Sequence, residues 1–580
     1  MVRQAGILLV GLVLLAGCTN MPAVPLVSSS NAHTTTPVPT GTTQVVVAVD
    51  GIGSGYNPHL LADQSSMTDD LSAMLLPSVF RTAPDGTPQL DANLMVSAQV
   101  TNADPFTVTY QLRTDASWSD GTPVDAADFL YLRNQMSTQS GTVDPAGYQL
   151  ISNIIARDNG KTIQVSFDKP YPGWRSLFND LLPAHLLKDA PGGWASALTD
   201  SFPATAGPFD IKELDSAGGE ITLERSDRYW GTPSVLDQVI LRKADAQGMT
   251  NSLRTDGAQV AYTRADAAGQ ALFAGLGAGY DTASVARPEL AAVLLRPGGP
   301  DLADQTVRTG VAAAIDRNAL IGTGVAGGPS TKLTANALVV APSQAGYAAT
   351  LTGSDVAAAP NAGTVHDKLT QAGYTQVAGQ WSKDGQPLRV RIAAAAGVQP
   401  YLDMAEQLRT QLQAAGIQAT LTTPPATQLY GQQLLAGPTT TSNATSAAPT
   451  TGNAPADTNT SPDIVVGPQP VDPDSASALA SQFGCPLTLS DGTTKAPANA
   501  LGFCDQTVQP TIEAALTGEL SLPDALARVE PQLWAQAVEI PLFQVSDELV
   551  VATNKVAGVS AGAPLAGPFV SAASWSRTTG

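Results

Sequence analysis

The histidine and cysteine positions bear directly on whether the chain carries a catalytic site. Its four histidines are scattered, and none stands at metal-ligand spacing from another: they are His33, His59, His185 and His366. The sequence has no phosphate-binding Walker loop and no Cys-x-x-Cys pair. Three cysteines in 580 residues exclude a four-thiolate metal site. We therefore predict a protein that is not an enzyme, with no catalytic residues, no cofactor and no metal.

Cys18 follows an N-terminal segment with the layout of a secretory signal. One basic residue, Arg3, precedes an apolar run over residues 5–16, which is too short to span a bilayer. The run ends in Leu15-Ala16-Gly17-Cys18, which resembles the bacterial lipobox. That resemblance implies that the Cys18 thiol is acylated, with palmitate or a similar chain, and that Cys18 becomes the mature N-terminus. The alternative is an ordinary secretory signal with a chance cysteine.

The segment after Cys18 has the composition of a linker. Residues 18–43 are rich in Ser, Thr, Pro and Ala and carry no Asp, Glu, Lys or Arg. We predict a signal peptide over residues 1–17 and a flexible tether over residues 18–43. The folded part would then be lipid-anchored at the extracytoplasmic face of the cell membrane.

Cys485 and Cys504 are the two remaining cysteines. In an exported, oxidising compartment they most simply form a disulfide with each other. The alternative is two buried free thiols.

The charge balance limits the class of partner. The chain has 50 acidic and 30 basic residues, a formal net charge of −20, and only 14% charged residues. Phosphate backbones repel such a chain, so we predict no nucleic-acid partner. Its length exceeds what one hydrophobic core fills, which predicts two or three lobes.

Predicted strands and helices alternate along the chain, which indicates an α/β fold. β-Branched or alternating runs predict strands at residues 44–50, 106–112, 162–167 and 463–467. Apolar residues at helical spacing predict helices at 307–320, 403–415 and 428–436, and Asp304 stands at an N-cap position. The Thr/Ser/Pro/Ala-rich run 437–462 has one charged residue, and we predict a disordered surface insertion. Its threonines are either glycosylated or bare.

Several ordered motifs together resemble solute-binding protein family 5, the large periplasmic binding proteins for peptides, nickel and related solutes. The motifs occur in family order across residues 44–580: Tyr110–Pro123 (YQLRTDASWSDGTP), Ala126-Ala127-Asp128, Gly207-Pro208-Phe209, Arg228-Tyr229-Trp230, and the helices at 307–320 and 372–417. The resemblance implies a two-lobed fold of the oligopeptide-binding type, with an extra subdomain on the N-terminal lobe and a hinge of crossover strands. It places the first lobe at 44–265, the second at 266–510, and a return to the first lobe at 511–580.

One branch of that family, comprising mycobacterial envelope lipoproteins, is more similar still. The motifs are Asn57–Asp63 (NPHLLAD), Val143–Tyr148 (VDPAGY), Leu182–Leu186 (LPAHL), Gly484-Cys485-Pro486 and Gly502–Asp505 (GFCD). This resemblance implies a monomeric, non-enzymatic factor that binds or channels a monoacylated phosphatidylinositol tetramannoside, or that meets a membrane mannosyltransferase. Such a factor would regulate the balance between the synthesis of phosphatidylinositol mannosides and the synthesis of lipomannan and lipoarabinomannan. The alternative is the substrate-binding lipoprotein of an ABC importer for peptides or other small solutes.

The family's peptide-binding members hold the peptide amine with an acidic residue after a Gly-Trp strand end. The corresponding stretch here starts at Gly467, and only the later Asp472 matches, so the amine-binding carboxylate is expected to be missing. We predict that Asp472 and Asp474 lie in a solvated loop. The alternative is that they pair with other carboxylates. The candidate residues lining a ligand cleft are Trp118, Tyr148, Tyr171, Trp174 and Asp472.

Overall fold

The computed structural model describes residues 43–53, 55–83, 85–299, 301–434, 461–486 and 499–578. The predicted signal peptide, the acylation site Cys18 and the tether up to residue 42 lie outside the described residues. So do residues 437–460 of the predicted insertion.

The described strands form one large sheet and four small ones. The strands are β1 (Gln44–Val49), β2 (Phe80–Thr82), β3 (Pro88–Leu90), β4 (Met95–Ala103), β5 (Phe106–Leu112), β6 (Ile151–Arg157), β7 (Thr162–Phe167), β8 (Phe209–Asp215), β9 (Glu220–Arg225), β10 (Gln238–Lys243), β11 (Val260–Thr263), β12 (Tyr280–Leu295), β13 (Thr375–Val377), β14 (Gln380–Lys383), β15 (Gln386–Pro387), β16 (Arg389–Ala393), β17 (Gln418–Thr422), β18 (Ile464–Pro470), β19 (Glu539–Ala552), β20 (Val556–Ala557) and β21 (Ser576–Arg577). The large mixed sheet has the order β17-β16-β18-β12-β19-β11-β1-β10-β9-β8, and β4-β5-β7-β6 form a separate antiparallel sheet.

The α-helices alternate with these strands. They are α1 (Ser66–Leu75), α2 (Ala126–Thr138), α3 (Ala146–Gln149), α4 (Ala184–Leu187), α5 (Ala246–Arg254), α6 (Ala267–Ala274), α7 (Gln305–Ala312), α8 (Arg317–Val325), α9 (Ala362–Gln371), α10 (Tyr401–Ala414), α11 (Ala426–Gln428), α12 (Ser475–Phe483), α13 (Gln509–Leu516) and α14 (Leu522–Gln536). Within the described ranges, no helix is both long enough and apolar enough to cross a membrane.

The two longest strands, β12 and β19, connect the two halves of the large sheet. They pair antiparallel from Tyr280 opposite Ala552 to Leu294 opposite Glu539. The first half of β12 lies beside the end of β19 that also pairs with β11, and its second half pairs with β18. The ladder is irregular between Ala286 and Leu290, so residues 287–289 lie at the crossing point between the halves.

Two large groups of buried apolar side chains lie on either side of this crossing. The first core gathers side chains of β1, β5, β7, β9, β10, α1 and α2. The second core gathers side chains of β16, β18, α7, α10, α13 and α14, together with the second half of β12 and the first half of β19. The chain therefore builds a two-lobed α/β structure, as its length and motifs predicted.

Most predicted elements lie where the sequence pattern indicated. The strands predicted at 44–50, 106–112 and 162–167 correspond to β1, β5 and β7. The predicted helix 307–320 is instead two helices, because Asp316 starts α8 by accepting a hydrogen bond from the Ala319 N–H at 3.0 Å. The helix predicted at 428–436 is only α11 followed by the π-helical turn Leu429–Gln433.

The predicted pairing of the two late cysteines is confirmed. Cys485 and Cys504 form a disulfide, with their Cα atoms 4.5 Å apart. The bond links the end of α12 to the segment before α13, and both helices contribute buried side chains to the second core.

Gly207 provides a test of the first core's packing. A Cβ at this position would lie 2.0 Å from the backbone carbonyl oxygen of Met74 in α1, and a backbone atom cannot move aside as a side chain can. We expect Gly207→Ala to lower the free energy of unfolding by about 1–3 kcal/mol. A Cβ added at Gly322, inside α8, would meet nothing within 4 Å, so Gly322→Ala should stabilise the protein by about 0.5–1 kcal/mol. Thermal unfolding of both variants tests this, and equal stability of the two would contradict it.

Candidate functional site

The two cores face each other across a surface that we call the seam. It is formed by residues 141–148 and 169–176 on the first core's side, and by residues 467–474, residues 481–482 and α13 on the second core's side. The Ala146 N–H donates to the Ser481 hydroxyl across it at 3.2 Å, and Lys169 forms an ion pair with Glu513 at 3.3 Å. Polar contacts therefore bridge the seam.

Three carboxyl groups meet in the seam and form what we call the carboxyl trio: Asp144 from the first core, and Asp472 and Asp474 from the loop after β18. The Tyr171 hydroxyl donates to Asp474 Oδ2 at 2.7 Å. Asp474 Oδ1 accepts from the Ala476 N–H at the start of α12, and Asp472 Oδ1 accepts from the Asp474 N–H. The carboxyl trio thus joins the two halves of the molecule.

Gly173 permits the close approach of Asp474. A Cβ at this position would lie 1.8 Å from Asp474 Oδ2 and 2.8 Å from the Tyr171 ring. Any larger residue would therefore push the carboxyl group away from the Tyr171 hydroxyl.

The carboxyl groups of Asp144 and Asp472 lie close enough that each acts on the pKa of the other. As ionised groups, both Asp144 carboxyl oxygens would lack a donor. Burial, followed by the charge of Asp474, raises the pKa of Asp144 to about 7. Burial and the Asp144 charge raise the pKa of Asp472 well above its usual range. Among the described residues, no Lys or Arg forms an ion pair with the trio, so the raised pKa values let these carboxyl groups avoid an unpaired buried charge by taking up protons.

A second set of buried ionisable groups, which we call the hinge cluster, lies at the crossing of β12 and β19. It comprises Asp69, Asp70, Arg287, Glu289 and Asp547. Arg287 forms ion pairs with Glu289 at 2.8 Å and with Asp547 at 3.7 Å. The Tyr401 hydroxyl, at the start of α10, donates to Glu289. One guanidinium therefore faces four carboxyl groups.

The excess of carboxyl groups in the hinge cluster shifts their titration. Burial raises the pKa of Asp69 to about 7, although Arg287 opposes the shift. Burial also raises the pKa of Asp547 to about 7, again against Arg287. Burial and the neighbouring Asp69 raise the pKa of Asp70 well above its usual range. The cluster thus favours protons or bound hydrogen-bond donors over additional anions.

Two small neighbouring cavities are lined by residues of the carboxyl trio and of the hinge cluster. A cavity of about 10 Å³ is lined by Asp69 and Glu289, and one of about 40 Å³ by Asp144 and Tyr430. Both cavities are also lined by Leu61, Gln469 and Pro470. The buried Tyr430 hydroxyl has no hydrogen-bond partner among the residues that the structure describes. The larger cavity has room for water, and its polar walls suit a hydroxyl-bearing group.

A larger cavity of about 270 Å³ opens on the other side of Asp474. The first core contributes Phe80, Arg81, Arg175 and Asn179 to its lining, and the second contributes Pro473 and Asp474. The seam therefore contains both carboxyl-lined and guanidinium-lined space.

The residues predicted to line a cleft divide into two groups. The structure brings Tyr171 and Asp472 together in the seam, and the Asp472 charge also acts on Tyr148, whose hydroxyl accepts from the Phe178 N–H at 2.8 Å. Trp118 is fully buried in the first core and donates to Asp128. Trp174 is 3% exposed and packs edge-on against Phe80 and Tyr110. Whether any of the five contacts a ligand stays a prediction.

The expectation that Asp472 and Asp474 form a solvated loop is wrong. Both are partly buried against the first core, because Gly173 and Tyr171 leave room for them. The sequence reasoning also missed Asp144, Arg287, Glu289 and Asp547. A signal for Asp547 existed, since the acidic pair Asp547-Glu548 stands in a strand whose other residues are mostly apolar.

The remaining reactive side chains lie apart from one another. His59 contacts the Asp180 carbonyl oxygen and His185 contacts Asp120, each at a separate place in the first core. Residues 558–562 (GVSAG), which the sequence reasoning missed, have the Gly-x-Ser-x-Gly spacing of a nucleophile elbow. They follow the short β20 and open no helix, so they lack the strand–turn–helix geometry that an elbow requires. Among the described residues no group of three His, Cys, Asp or Glu side chains could hold a metal ion.

Comparisons with known proteins agree with this geometry. The model of bacterial extracellular solute-binding proteins, family 5, middle region, matches residues 89–486. The probable monoacyl phosphatidylinositol tetramannoside-binding protein LpqW of Mycobacterium tuberculosis is 36% identical over 97% of this chain and 96% of its own length. The oligopeptide-binding protein OppA of Mycobacterium bovis is 27% identical over 56% of this chain and 55% of its own.

A solved structure supports the fold. The periplasmic EDTA-binding protein EppA superimposes with a TM-score of 0.68 at 22% identity, covering 93% of this chain and 98% of its own. The relatives are binding proteins, which confirms the prediction that this chain is not an enzyme. The chain belongs to family 5 of the bacterial extracellular solute-binding proteins and has the family's two-lobed α/β fold.

Proposed function

We propose that this protein binds a monoacylated phosphatidylinositol tetramannoside in the seam. Through this binding it regulates the balance between the synthesis of phosphatidylinositol mannosides and the synthesis of lipomannan and lipoarabinomannan. The observation that carries the proposal is the 36% identity to LpqW along nearly the whole of both chains. Because the aligned region covers nearly the whole chain, it includes the residues that form the seam on both lobes. A membrane mannosyltransferase is the protein partner that fits this role, and the binding protein itself is a monomer.

The chemistry of the seam supports a sugar ligand. Mannose carries several hydroxyl groups, and carboxyl oxygens are strong acceptors for them. Asp144 and the buried Tyr430 hydroxyl line one cavity and Asp474 lines another, and they supply hydrogen-bonding groups without a competing ion pair among the described residues. Tyr148, Tyr171 and Asp472 are the predicted cleft residues best placed to contact the ligand, whereas Trp118 and Trp174 would act through packing.

Ligand entry requires that the seam opens. The lobes proposed at 44–265 and 266–510, with the return segment 511–580, would separate by bending at residues 287–289, where the β12–β19 ladder is irregular. Closure would then surround the head group with the carboxyl trio on one side and the hinge cluster on the other.

A second candidate is the substrate-binding lipoprotein of an importer for peptides or other small solutes. The excess of buried carboxyl groups favours it, because an ammonium group would neutralise them. OppA, which matches about half of the chain, is named for such a ligand. Ligand titration separates the two candidates.

Native mass spectrometry of delipidated protein, titrated with glycolipid and with tri- to nonapeptides, is the direct test of the ligand. We expect the monoacylated tetramannoside to bind and the peptides not to bind. Asp472→Ala should weaken glycolipid binding about tenfold, because a buried hydrogen-bonding carboxyl group is lost. Asp367→Ala removes a carboxyl group whose side chain is 83% exposed, and should change nothing. Tight peptide binding without glycolipid binding would refute the proposal.

The burial of Asp144 makes the stability of the folded protein depend on pH. The pKa of Asp144 is raised from 3.8 to about 7, so its stabilising effect is complete below about pH 4 and is lost as the pH rises through 7. Asp144 has φ 44°, a conformation that Asn tolerates, so Asp144→Asn keeps the backbone and stays neutral.

We therefore expect the Tm advantage of Asp144→Asn over the native protein to grow between pH 4 and pH 7, to at least about one degree, and then to level off. Asp367→Asn serves as the exposed control and should show no such trend. A pH-independent difference for Asp144→Asn would rule out a raised pKa at Asp144.

The proposed anchor at Cys18 is tested by expression in a mycobacterial or related host. We expect the native protein to fractionate with membranes, and its intact mass to exceed that of residues 18–580 by at least two acyl chains. Cys18→Ser should lack this mass and leave the membrane fraction. Membrane retention of the unacylated variant would contradict anchoring through Cys18.

A further inference from the structure

Arg175 lines the 270 Å³ cavity of the seam, and within the described ranges it takes part in no ion pair. Its guanidinium carbon is 4.3 Å from the centre of the Trp174 ring, and the residue is exposed. Stacking on an indole holds a guanidinium in place and leaves its N–H edge available to a ligand.

The other guanidinium in this cavity is already engaged. Arg81 pairs with Asp91 at 2.7 Å and donates to the backbone carbonyl oxygens of Ala73 and Leu76. Arg175 is therefore the cavity's available positive charge.

Asp474, the carboxyl group in the same cavity, does not neutralise Arg175. Its Oδ2 accepts from the Tyr171 hydroxyl and its Oδ1 from the Ala476 N–H, so both oxygens are used in holding the seam. In a chain of net charge −20, most groups that face a ligand would repel an anion, whereas the available Arg175 guanidinium would attract one. The seam thus has acceptors on one side of Asp474 and a cationic donor on the other.

We propose that Arg175 binds the phosphate group of a glycosylated phosphate ester whose sugar hydroxyls meet the carboxyl trio. The inference rests on the proposed function. It adds a binding site for the phosphate, the part of the head group that carboxylates would repel. A phosphodiester accepts two parallel N–H bonds from a guanidinium, which fixes the ligand's direction in the seam. A phospholipid head group and a free sugar phosphate share this chemistry, and the choice of probes separates them.

The test measures affinities of the full-length protein and three variants for four probes. The probes are the intact monoacylated tetramannoside, its deacylated glycerophosphate form, mannose 1-phosphate and phosphate-free mannotetraose. Arg175→Gln removes the charge, and Arg175→Lys keeps it without the fork. Arg157→Gln is the control, since Arg157 is also exposed, forms no ion pair among the described residues and lies on β6 of the first core.

We expect Arg175→Gln to weaken every phosphate-bearing probe that binds by about tenfold to a hundredfold, and to leave mannotetraose unchanged. Arg175→Lys should lose less, and Arg157→Gln nothing. The melting temperatures should stay equal, because Arg175 is exposed and its loss leaves no buried group without a partner. Equal weakening of mannotetraose, or no weakening of the phosphate probes, would overturn the inference.

The failure of the proposed function has a different signature. If the native protein binds neither lipid-derived probe but binds mannose 1-phosphate through Arg175, the glycolipid function fails and the phosphate subsite stands for a soluble sugar phosphate. If the deacylated form binds as tightly as the lipid and both depend on Arg175, the subsite stands and the acyl chain contributes nothing. Binding of mannotetraose alone, or of none of the probes, overturns the phosphate subsite.

Discussion

Strand β19 carries ionisable side chains through a region from which water is excluded. All of its residues from Glu539 to Ala552 are buried, and Asp547 lies in its second half. A buried charge without a partner costs several kcal/mol, so each such group needs a proton, a donor or a cation. Arg287 supplies one cation where β12 crosses β19, and the neighbouring carboxyl groups that outnumber it have raised pKa values.

The same shortage of cations extends along the seam to the carboxyl trio. Asp144 and Asp472 approach from opposite cores and both have raised pKa values, while Tyr171 donates to Asp474. A binding protein benefits from such contacts, because they hold the closed form weakly and leave acceptors for the hydroxyl groups of an incoming sugar. Polar contacts that a ligand can replace suit a surface that must open better than apolar packing does.

The fold was largely predictable and the site largely was not. Alternating strands and helices showed the α/β class, because the periodicity of apolar residues is a local property of the sequence. The order of the motifs indicated two lobes. The meeting of Asp144 with Asp472 depends on residues far apart in the chain, so no local pattern shows it. Trp118, chosen for its aromatic ring, belongs to the first core, whereas Arg175 was overlooked because a lone surface arginine has no sequence signature.

The central claim is that ligand is held in the seam between the two cores. Hydrogen–deuterium exchange of the protein with and without the monoacylated phosphatidylinositol tetramannoside measures this directly. Slower exchange is predicted at residues 141–148, 169–176 and 467–474, with α9 and the β13–β15 sheet unchanged. Protection confined to α9 or that small sheet, with the seam unaffected, would contradict the account.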